Sequence, residues 1–436
     1  MSINRALTNR KSGNNGFAVA SSSPAPLEEY QHQLSITRPE KEIIDLIRTF
    51  PGLTKGDLVA YTEYSRTKIS GCVDDLIEKK FIVENEVTEY SGGRRSRTYS
   101  INGRLGFLAG IDIGATSIDI AIADLSQKVL HRKSEPALVR EGPIKILGRV
   151  CSLLESMVRE IGFAPEDVLG IGIGVPGPVD FQRGMVISPP IMPGWDKYPI
   201  IQTASQWFPY ANIVVDNDVN VMALGELNAG NGKGIENLIF VKIGTGIGAG
   251  IICKGEIYRG ASGCAGDIGH ISVTKSGPMC HCGNKGCLES LASGSAMAER
   301  ALFAAEAGKS PFLLARYAAN ENHLTAEDIG LGAREGDQLS IEIIRESGEM
   351  VGDVLASLVN FYNPEMIVIG GGVSNLGNLL LSSVRQAVLR RSLPLATRNL
   401  DIVLSAIGGD AGVIGAVNLA LDHLFMVMPA GEPGVE

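Results

Sequence analysis

With 436 residues, 44% of them hydrophobic and 20% charged, the chain has enough apolar material for two or three domains of about 150 residues, which excludes wholesale disorder. Its 53 glycines, about 12% against a usual 7%, follow no G-X-Y period, which excludes collagen and predicts many tight turns. The net charge of −9 is uneven: residues 1–104 hold 15 Lys+Arg and 13 Asp+Glu, leaving 24 and 35 for residues 105–436, so any nucleic-acid contact must come from the N-terminal quarter.

No run of eighteen uncharged apolar residues occurs and Met1–Ala20 is polar, so neither a membrane span nor a secretory signal is expected, and the expected location is the cytoplasm. Residues 1–37, rich in Ser, Asn, Pro and Gly, predict a flexible tail. Pro39 then suits a first helical turn, and Ile43, Ile44, Ile47 and Phe50 recur at helical spacing until Pro51-Gly52 stops them. Thr54 with Asp57 has the capping-box pattern of a second helix through Leu58–Ala60. Ser65 caps a third, whose stripe Ile69, Val73, Leu76, Ile77 runs to about Lys80. Strands at 81–83 and 98–101 flank Ser91-Gly92-Gly93-Arg94-Arg95-Ser96-Arg97, a hairpin with a basic tip.

Three helices and a basic hairpin predict a winged helix-turn-helix over 38–104. Arg66, Thr67, Lys68 and Ser70 of the third helix are its candidate contacts to double-stranded DNA, with Arg94, Arg95 and Arg97 on the wing. The same elements would also serve a dimerisation or docking module whose arginines are simply solvated.

From Phe107 onward, glycine-punctuated apolar strands alternate with helices. Strands are predicted at 107–114, 168–175, 213–215, 238–243 and 366–369, and helices at 144–161 and 340–362, an α/β pattern. The segment 110–123 echoes 241–253, each a strand, a small-residue turn and a returning strand, which predicts two related lobes. The turns themselves, with Asp112, Gly114 and Thr116 in one and Gly244, Thr245 and Gly246 in the other, could clamp a polyphosphate with Mg²⁺, and Gly371 and Gly372 would admit a nucleotide. Each turn alone also reads as an ordinary hairpin.

Seven cysteines are too few and odd in number for a disulfide scaffold, and Cys280, Cys282 and Cys287 crowd into eight residues. Three soft thiolates at that spacing suit tetrahedral Zn²⁺ with one further ligand, for which His270 and His281 compete.

Over about residues 38–425 the chain resembles the ROK family, sugar kinases and sugar-responsive repressors on an actin-like ATPase (ribonuclease H-like) core. The landmarks occur in order: Asp112–Thr116, Gly174-Val175-Pro176-Gly177-Pro178-Val179, Asp216–Asn220, Gly244–Gly248, Gly269-His270-Ile271, the cysteines, and Ile369–Gly372. A DNA-binding module ahead of the core is the arrangement of the family's repressors, xylose repressors among them. The resemblance implies one lobe from 105–217 plus 405–436 and a second from 218–404 carrying the zinc.

It further implies Asp218 as the base in any kinase reaction, Asn217, Asp218, Asp267, His270 and Glu289 around a sugar, and His270 with Cys280, Cys282 and Cys287 on a structural Zn²⁺. The family usually has Glu where Asp267 stands. The phosphate turn lacks a second Gly, which weakens a kinase, and Ile191 replaces an Asn that would bind a hydroxyl, which points away from common hexoses such as glucose.

The expected function is therefore a sugar-responsive transcriptional regulator, acting as a homodimer because an operator with two half-sites needs two reading heads. The enzyme alternative is an ATP-dependent sugar kinase, and a third reading is a nucleotide-free interaction module.

Overall fold

The computed structural model describes residues 35–85, 97–190 and 192–427. Arg94, Arg95, Ile191 and most of the expected N-terminal tail lie outside the described residues. Among the described residues no helix is long and apolar enough to cross a membrane.

The N-terminal unit begins with α1 (Arg38–Thr49), α2 (Lys55–Tyr61) and α3 (Arg66–Glu78). Thr37 and Glu40 make a reciprocal capping box at the start of α1, Thr54 and Asp57 do the same for α2, and Ser65 caps α3 through Lys68 N. Most of the expected stripe is buried: Ile43, Ile44, Ile47, Leu58, Ile69, Val73 and Leu76 meet in one core with Ile77 packed against it, whereas Phe50 is exposed and stacks on Tyr61. Strands β2 (Ile82–Asn85) and β3 (Thr98–Ile101) follow as an antiparallel pair.

The expectation of a flexible tail over residues 1–37 shifts, and the other end of the chain is involved. Structure starts before residue 38, because β1 (Ser35–Ile36) pairs in parallel with the last strand, β16 (Met426–Val427), and Ile36 is buried. By the same pairing the chain remains ordered past Leu424, with Phe425 buried edge-to-face against Phe81. Neither pairing has a local sequence signature, since each partner is supplied from the other end of the chain.

The remainder is built on two five-stranded sheets of the same plan. In the first, β4 (Phe107–Ile113), β5 (Ser117–Asp124), β6 (Val129–Pro136), β7 (Val168–Val175) and β10 (Asn212–Asn217) lie in the order β10-β7-β4-β5-β6. A small hairpin, β8 (Val179–Asp180) with β9 (Met185–Val186), leads off β7. In the second sheet, β11 (Leu238–Ile243), β12 (Ile247–Cys253), β13 (Glu256–Ile257), β14 (Met366–Gly370) and β15 (Asp401–Leu404) lie in the order β13-β12-β11-β14-β15. Each sheet has three parallel strands and a two-strand antiparallel edge. The echo between 110–123 and 241–253 is thus the first hairpin of each sheet.

The outer face of the first sheet is covered by α4 (Pro143–Glu160), whose Ile146, Leu147, Val150, Leu154 and Met157 enter the core with Ile111, Ile171 and Ile173. The long α6 (Gln338–Tyr362) and α7 (Asn378–Arg391) cover the second sheet with Ile343, Val351, Leu355, Leu380 and Val384. Between the sheets run α5 (Asp218–Ala229) and the terminal α8 (Ala411–Leu424).

Strand β7, Val-Leu-Gly-Ile-Gly-Ile-Gly-Val, is buried throughout because both faces are covered. Its isoleucines face α4, and its glycines let α8 lie against the backbone: a Cβ on Gly172 would stand 2.0 Å from Ala416 O, and one on Gly110 of β4 2.4 Å from Val413 O. The helices α5 and α8 cross equally closely, Gly415 against Val221 O and Gly225 against Ala411 O.

The far end of α8 is shared with the N-terminal unit. Val417, Leu421, Leu424 and Phe425 complete the core of α1–α3, and Arg48 of α1 pairs with Asp422 of α8.

Within α1, Glu40 is 1% exposed, accepts from Thr37 N at 2.6 Å and pairs with Lys79 Nζ at 2.7 Å. Burial opposes its charge, but the Lys79 and Thr37 hydrogen bonds outweigh that and hold the carboxyl below its ordinary 4.5. Stability from this group is therefore complete above pH 4.5 and is lost as the pH falls through the lowered native value. Glu40→Gln is expected to lose roughly 1–2 kcal/mol in urea unfolding at pH 7, with the difference from wild type shrinking below the carboxylate range.

Candidate functional site

A cleft of about 520 Å³ opens between the two sheets at the strand ends. The β4–β5 turn brings Gly114 and Thr116 to one wall, and the β11–β12 turn brings Gly244, Thr245 and Gly246 to the other. Gly371 and Gly372, after β14, reach the same space. Asp112, Asn217, Asp218, Asp267, His270 and Glu289 also line it. Every sugar and nucleotide candidate from the sequence therefore converges on one cavity, although they span 261 positions from Asp112 to Gly372 inclusive.

Several of these side chains already have partners, which limits what each can offer. Asn217 caps α5: its Oδ1 accepts from Val219 N and Asn220 N, and its Nδ2 donates to Gly177 O at 2.9 Å, leaving one amide hydrogen. Glu289 Oε2 accepts from Ile247 N at 3.0 Å and so braces the Gly244–Gly246 turn. Burial pushes the Asp267 carboxyl up, with Glu289 adding to the effect and His270 opposing it. Trp195 is fully buried and donates to Val139 O at 3.0 Å; its role is in the core.

Asp112 is 7% exposed and its Oδ1 has no hydrogen-bond partner. Burial pushes it up to about 7, against the pull of Lys242. Beneath it, Gly412 of α8 leaves no space for a side chain: a Cβ there would stand 1.8 Å from Asp112 Oδ2.

Lys242 was not among the sequence candidates. It stands on β11, and its ammonium forms an ion pair with Asp218 inside the cleft. A signal was present, since Leu-Ile-Phe-Val-Lys-Ile is otherwise an entirely apolar strand. Asp216, next to the site, is held by Arg259 at 2.7 Å, and the same guanidinium lies 3.7 Å over the Phe181 ring.

At the edge of the cleft, His270, Cys280, Cys282 and Cys287 bring four ligand atoms within 4.8 Å of one another. His281, the local rival, is exposed and outside this group. The donor set passes a geometric test. Cys282 Sγ and Cys287 Sγ are 3.7 Å apart and Cys280 Sγ lies 3.6 Å from His270 Nδ1, matching the roughly 3.5–3.8 Å edges of a tetrahedron with bonds near 2.3 Å to sulfur and 2.0 Å to nitrogen.

Burial pushes the Cys287 thiol up to about 12 and raises Cys280, whereas the Asn284 backbone hydrogen bond lowers Cys282. A bound cation would provide the charge that keeps all three as thiolates. Cys287 is two residues before Glu289, so the cluster fixes the start of the segment that braces the glycine turn.

The described basic candidates do not line the cleft. Arg66, Thr67 and Lys68 are exposed at the start of α3. Ser70 is partly covered and accepts from Lys55 Nζ at 3.0 Å. Arg97 pairs with Glu84 across the β2–β3 ladder.

Comparison with known proteins agrees with this architecture. The ROK family model matches residues 108–423, and the chain belongs to the ROK family. A xylose repressor of Caldicellulosiruptor bescii is 32% identical over 364 residues, covering 83% of this chain and 90% of that protein. A glucokinase of Halalkalibacterium halodurans is 33% identical over 309 residues, covering 70% and 92%.

Among solved structures, a ROK family transcriptional regulator described as a homolog of the E. coli MLC protein superposes with a TM-score of 0.76 at 26% identity, covering 91% of this chain and 98% of that one. A Streptomyces griseus ROK glucokinase in complex with glucose and AMPPNP gives 0.65 at 30% identity, covering 72% of this chain and 99% of that one.

Elemental analysis of the purified chain is expected to find about one tightly held metal ion, because four converging donors complete a tetrahedral site. Cys287→Ser should abolish retention and lower the Tm by several degrees, since metal binding is linked to folding.

Proposed function

We infer that this chain is a sugar-responsive, DNA-binding transcriptional repressor. The observation that carries the reading is that one helix, α8, begins against the cleft and ends in the core of the N-terminal unit. Gly412 lies on Asp112 at one end, while Asp422 pairs with Arg48 and Leu424 and Phe425 enter the α1–α3 core at the other. A ligand that changes the cleft has a continuous mechanical route to the reading head.

In this reading residues 38–104 form a winged helix-turn-helix. Helix α3 enters the major groove with Arg66, Thr67, Lys68 and Ser70, and Arg94, Arg95 and Arg97 would contact the DNA backbone. Residues 105–217 with 405–436 form one lobe and 218–404 the other. That the relatives include a xylose repressor and a glucokinase supports a sugar as effector, bound by Asn217, Asp218, Asp267, His270 and Glu289.

The metal at His270, Cys280, Cys282 and Cys287 is zinc in a structural role, with all four positions taken by protein. Its ligand His270 also lines the cleft, and with Nδ1 on the metal, Nε2 is left for a hydroxyl. Two reading heads per operator call for a homodimer, and repression of chromosomal genes places the protein in the cytoplasm.

Glucokinase relatives favour sugar phosphorylation as the second reading. In a kinase Asp218 would orient the hydroxyl, and Asp112, Gly114, Thr116, Gly244, Thr245, Gly246, Gly371 and Gly372 would hold Mg²⁺ and ATP. The residues present do not fit that cofactor: the Lys242 ammonium already pairs with Asp218 and acts on Asp112.

Sugar control of DNA affinity requires that the sugar bind the two states unequally. Fluorescence anisotropy with an operator fragment selected by the protein is expected to show a change of about tenfold or more at saturating effector. The double variant Arg66→Ala/Lys68→Ala should lose DNA binding while keeping the sugar-induced thermal shift. Asp422→Asn should keep both ligands but reduce the coupling between them. A sugar that binds the cleft yet leaves operator affinity unchanged, across the aldoses and their substituted derivatives, would remove the reading.

A further inference from the structure

The cleft carries a cation that belongs to the chain. Lys242 stands on β11 two residues before the Gly244–Gly246 turn, and its ammonium pairs with Asp218, whose side chain is 5% exposed. Asp112, buried with an unpartnered oxygen, lies within electrostatic reach of the same ammonium and of Asp218. Two buried acids with one compensating charge between them form the setting in which a divalent ion would otherwise be needed.

We propose that Lys242 is the resident counter-ion of this cleft, so that the protein binds an uncharged sugar without Mg²⁺ or nucleotide and transfers no phosphoryl group. The inference rests on the sugar-binding reading above and specifies the ligand class and ionic requirement of that same site.

Three further observations support it. First, Mg²⁺ demands oxygen ligands near 2.0–2.1 Å in octahedral array, and an ammonium on Asp218 both occupies one oxygen of that carboxylate and repels a second cation. Second, the turns that would cradle phosphate consume part of their own donor supply. Gly114 N donates to Ser117 O at 2.9 Å, Gly244 N to Gly246 O at 2.9 Å, and Ile247 N to Glu289. Third, the remaining charges along the cleft are acidic: Asp119, Asp267 and Glu289 line it, and its Arg132 is paired with Asp410. A phosphate or carboxylate on the ligand would face that acidic lining, whereas neutral hydroxyls can donate to it. Asp218 still offers Oδ1 to a hydroxyl while Oδ2 accepts from Lys242.

Titration calorimetry on the full, zinc-loaded chain tests the proposal with a panel of neutral aldoses, ketoses and polyols and their phosphates. Each is measured in Mg²⁺-free buffer and again with MgCl₂ and ATP, with ADP release followed in parallel. The wild type is expected to bind a neutral sugar with a Kd that Mg²⁺ and ATP change by no more than about twofold, to prefer it to its phosphate, and to form no ADP.

Lys242→Met should weaken metal-free binding by about tenfold or more, because Asp218 loses its buried partner. Mg²⁺ should then recover part of the loss, and Lys242→Arg should recover metal-independent binding. If Lys242→Met does not fold, the Mg²⁺ and ATP dependence of the wild type decides alone.

Sugar binding that requires Mg²⁺ or nucleotide, sugar-dependent ADP release, preference for the phosphate, or a folded Lys242→Met that binds like wild type would each overturn the proposal. A sugar that shifts operator affinity but needs Mg²⁺ and ATP overturns this inference while leaving the repressor reading intact. A panel in which no sugar binds or shifts operator affinity overturns both.

Discussion

The structure depends on how closely the terminal helix α8 can approach the strands beneath it. Backbone lies on backbone at Gly172 and Gly110, and the crossing with α5 is as tight at Gly415 and Gly225. Such contacts leave no room for adjustment by side-chain rotation, so a displacement of α8 is transmitted as a rigid movement. That rigidity matters because the helix has a different neighbour at each end, the Asp112 carboxylate at its start and the α1–α3 core at its finish. The glycines that punctuate the strands therefore serve helix docking as much as turn formation.

The cleft is equally a consequence of paired architecture. Each sheet offers its first hairpin turn to the space between them, and the shared strand plan makes the two turns face one another. The polar residues of the site are held by the protein before any ligand arrives: Asn217 by α5 and Gly177, Glu289 by the Ile247 amide, and His270 beside three thiols. This arrangement suits recognition of a polyhydroxylated ligand, because donors and acceptors are fixed in advance and lose little freedom on binding. The thiol cluster extends the same logic, tying the helical turn at His270 to the segment that leads to Glu289.

Charge separates the two ends of the molecule. The exposed start of α3 carries Arg66 and Lys68, whereas the cleft is lined by Asp112, Asp119, Asp218, Asp267 and Glu289, with Lys242 among them. In the proposed reading, anionic DNA and a neutral sugar would therefore find different surfaces, and neither ligand would compete for the other's site. In that reading, communication between them would fall to the packed helix and to the Arg48–Asp422 pair at its far end.

Local patterns in the sequence specified a great deal. Capping signals located α1, α2 and α3 because they act within a single turn of chain. Apolar spacing separated helices from strands, and the Cys-x-Cys-x₄-Cys run marked a metal site; the family resemblance pointed to His270 over His281 as fourth ligand, and the structure brings that set together. The glycine turns were legible because turn chemistry is local, whereas the acidic residues of the cleft lining were marked out by the order of the family's landmarks. Tertiary structure alone decided what depends on residues far apart in the chain. The pairing of Ser35–Ile36 with Met426–Val427, the helix-docking role of the strand glycines, and the ion pair of Lys242 with Asp218 all arise from contacts between distant segments. Spacing along a chain cannot reveal such contacts, since close approach and burial are created only when the sheets and helices assemble.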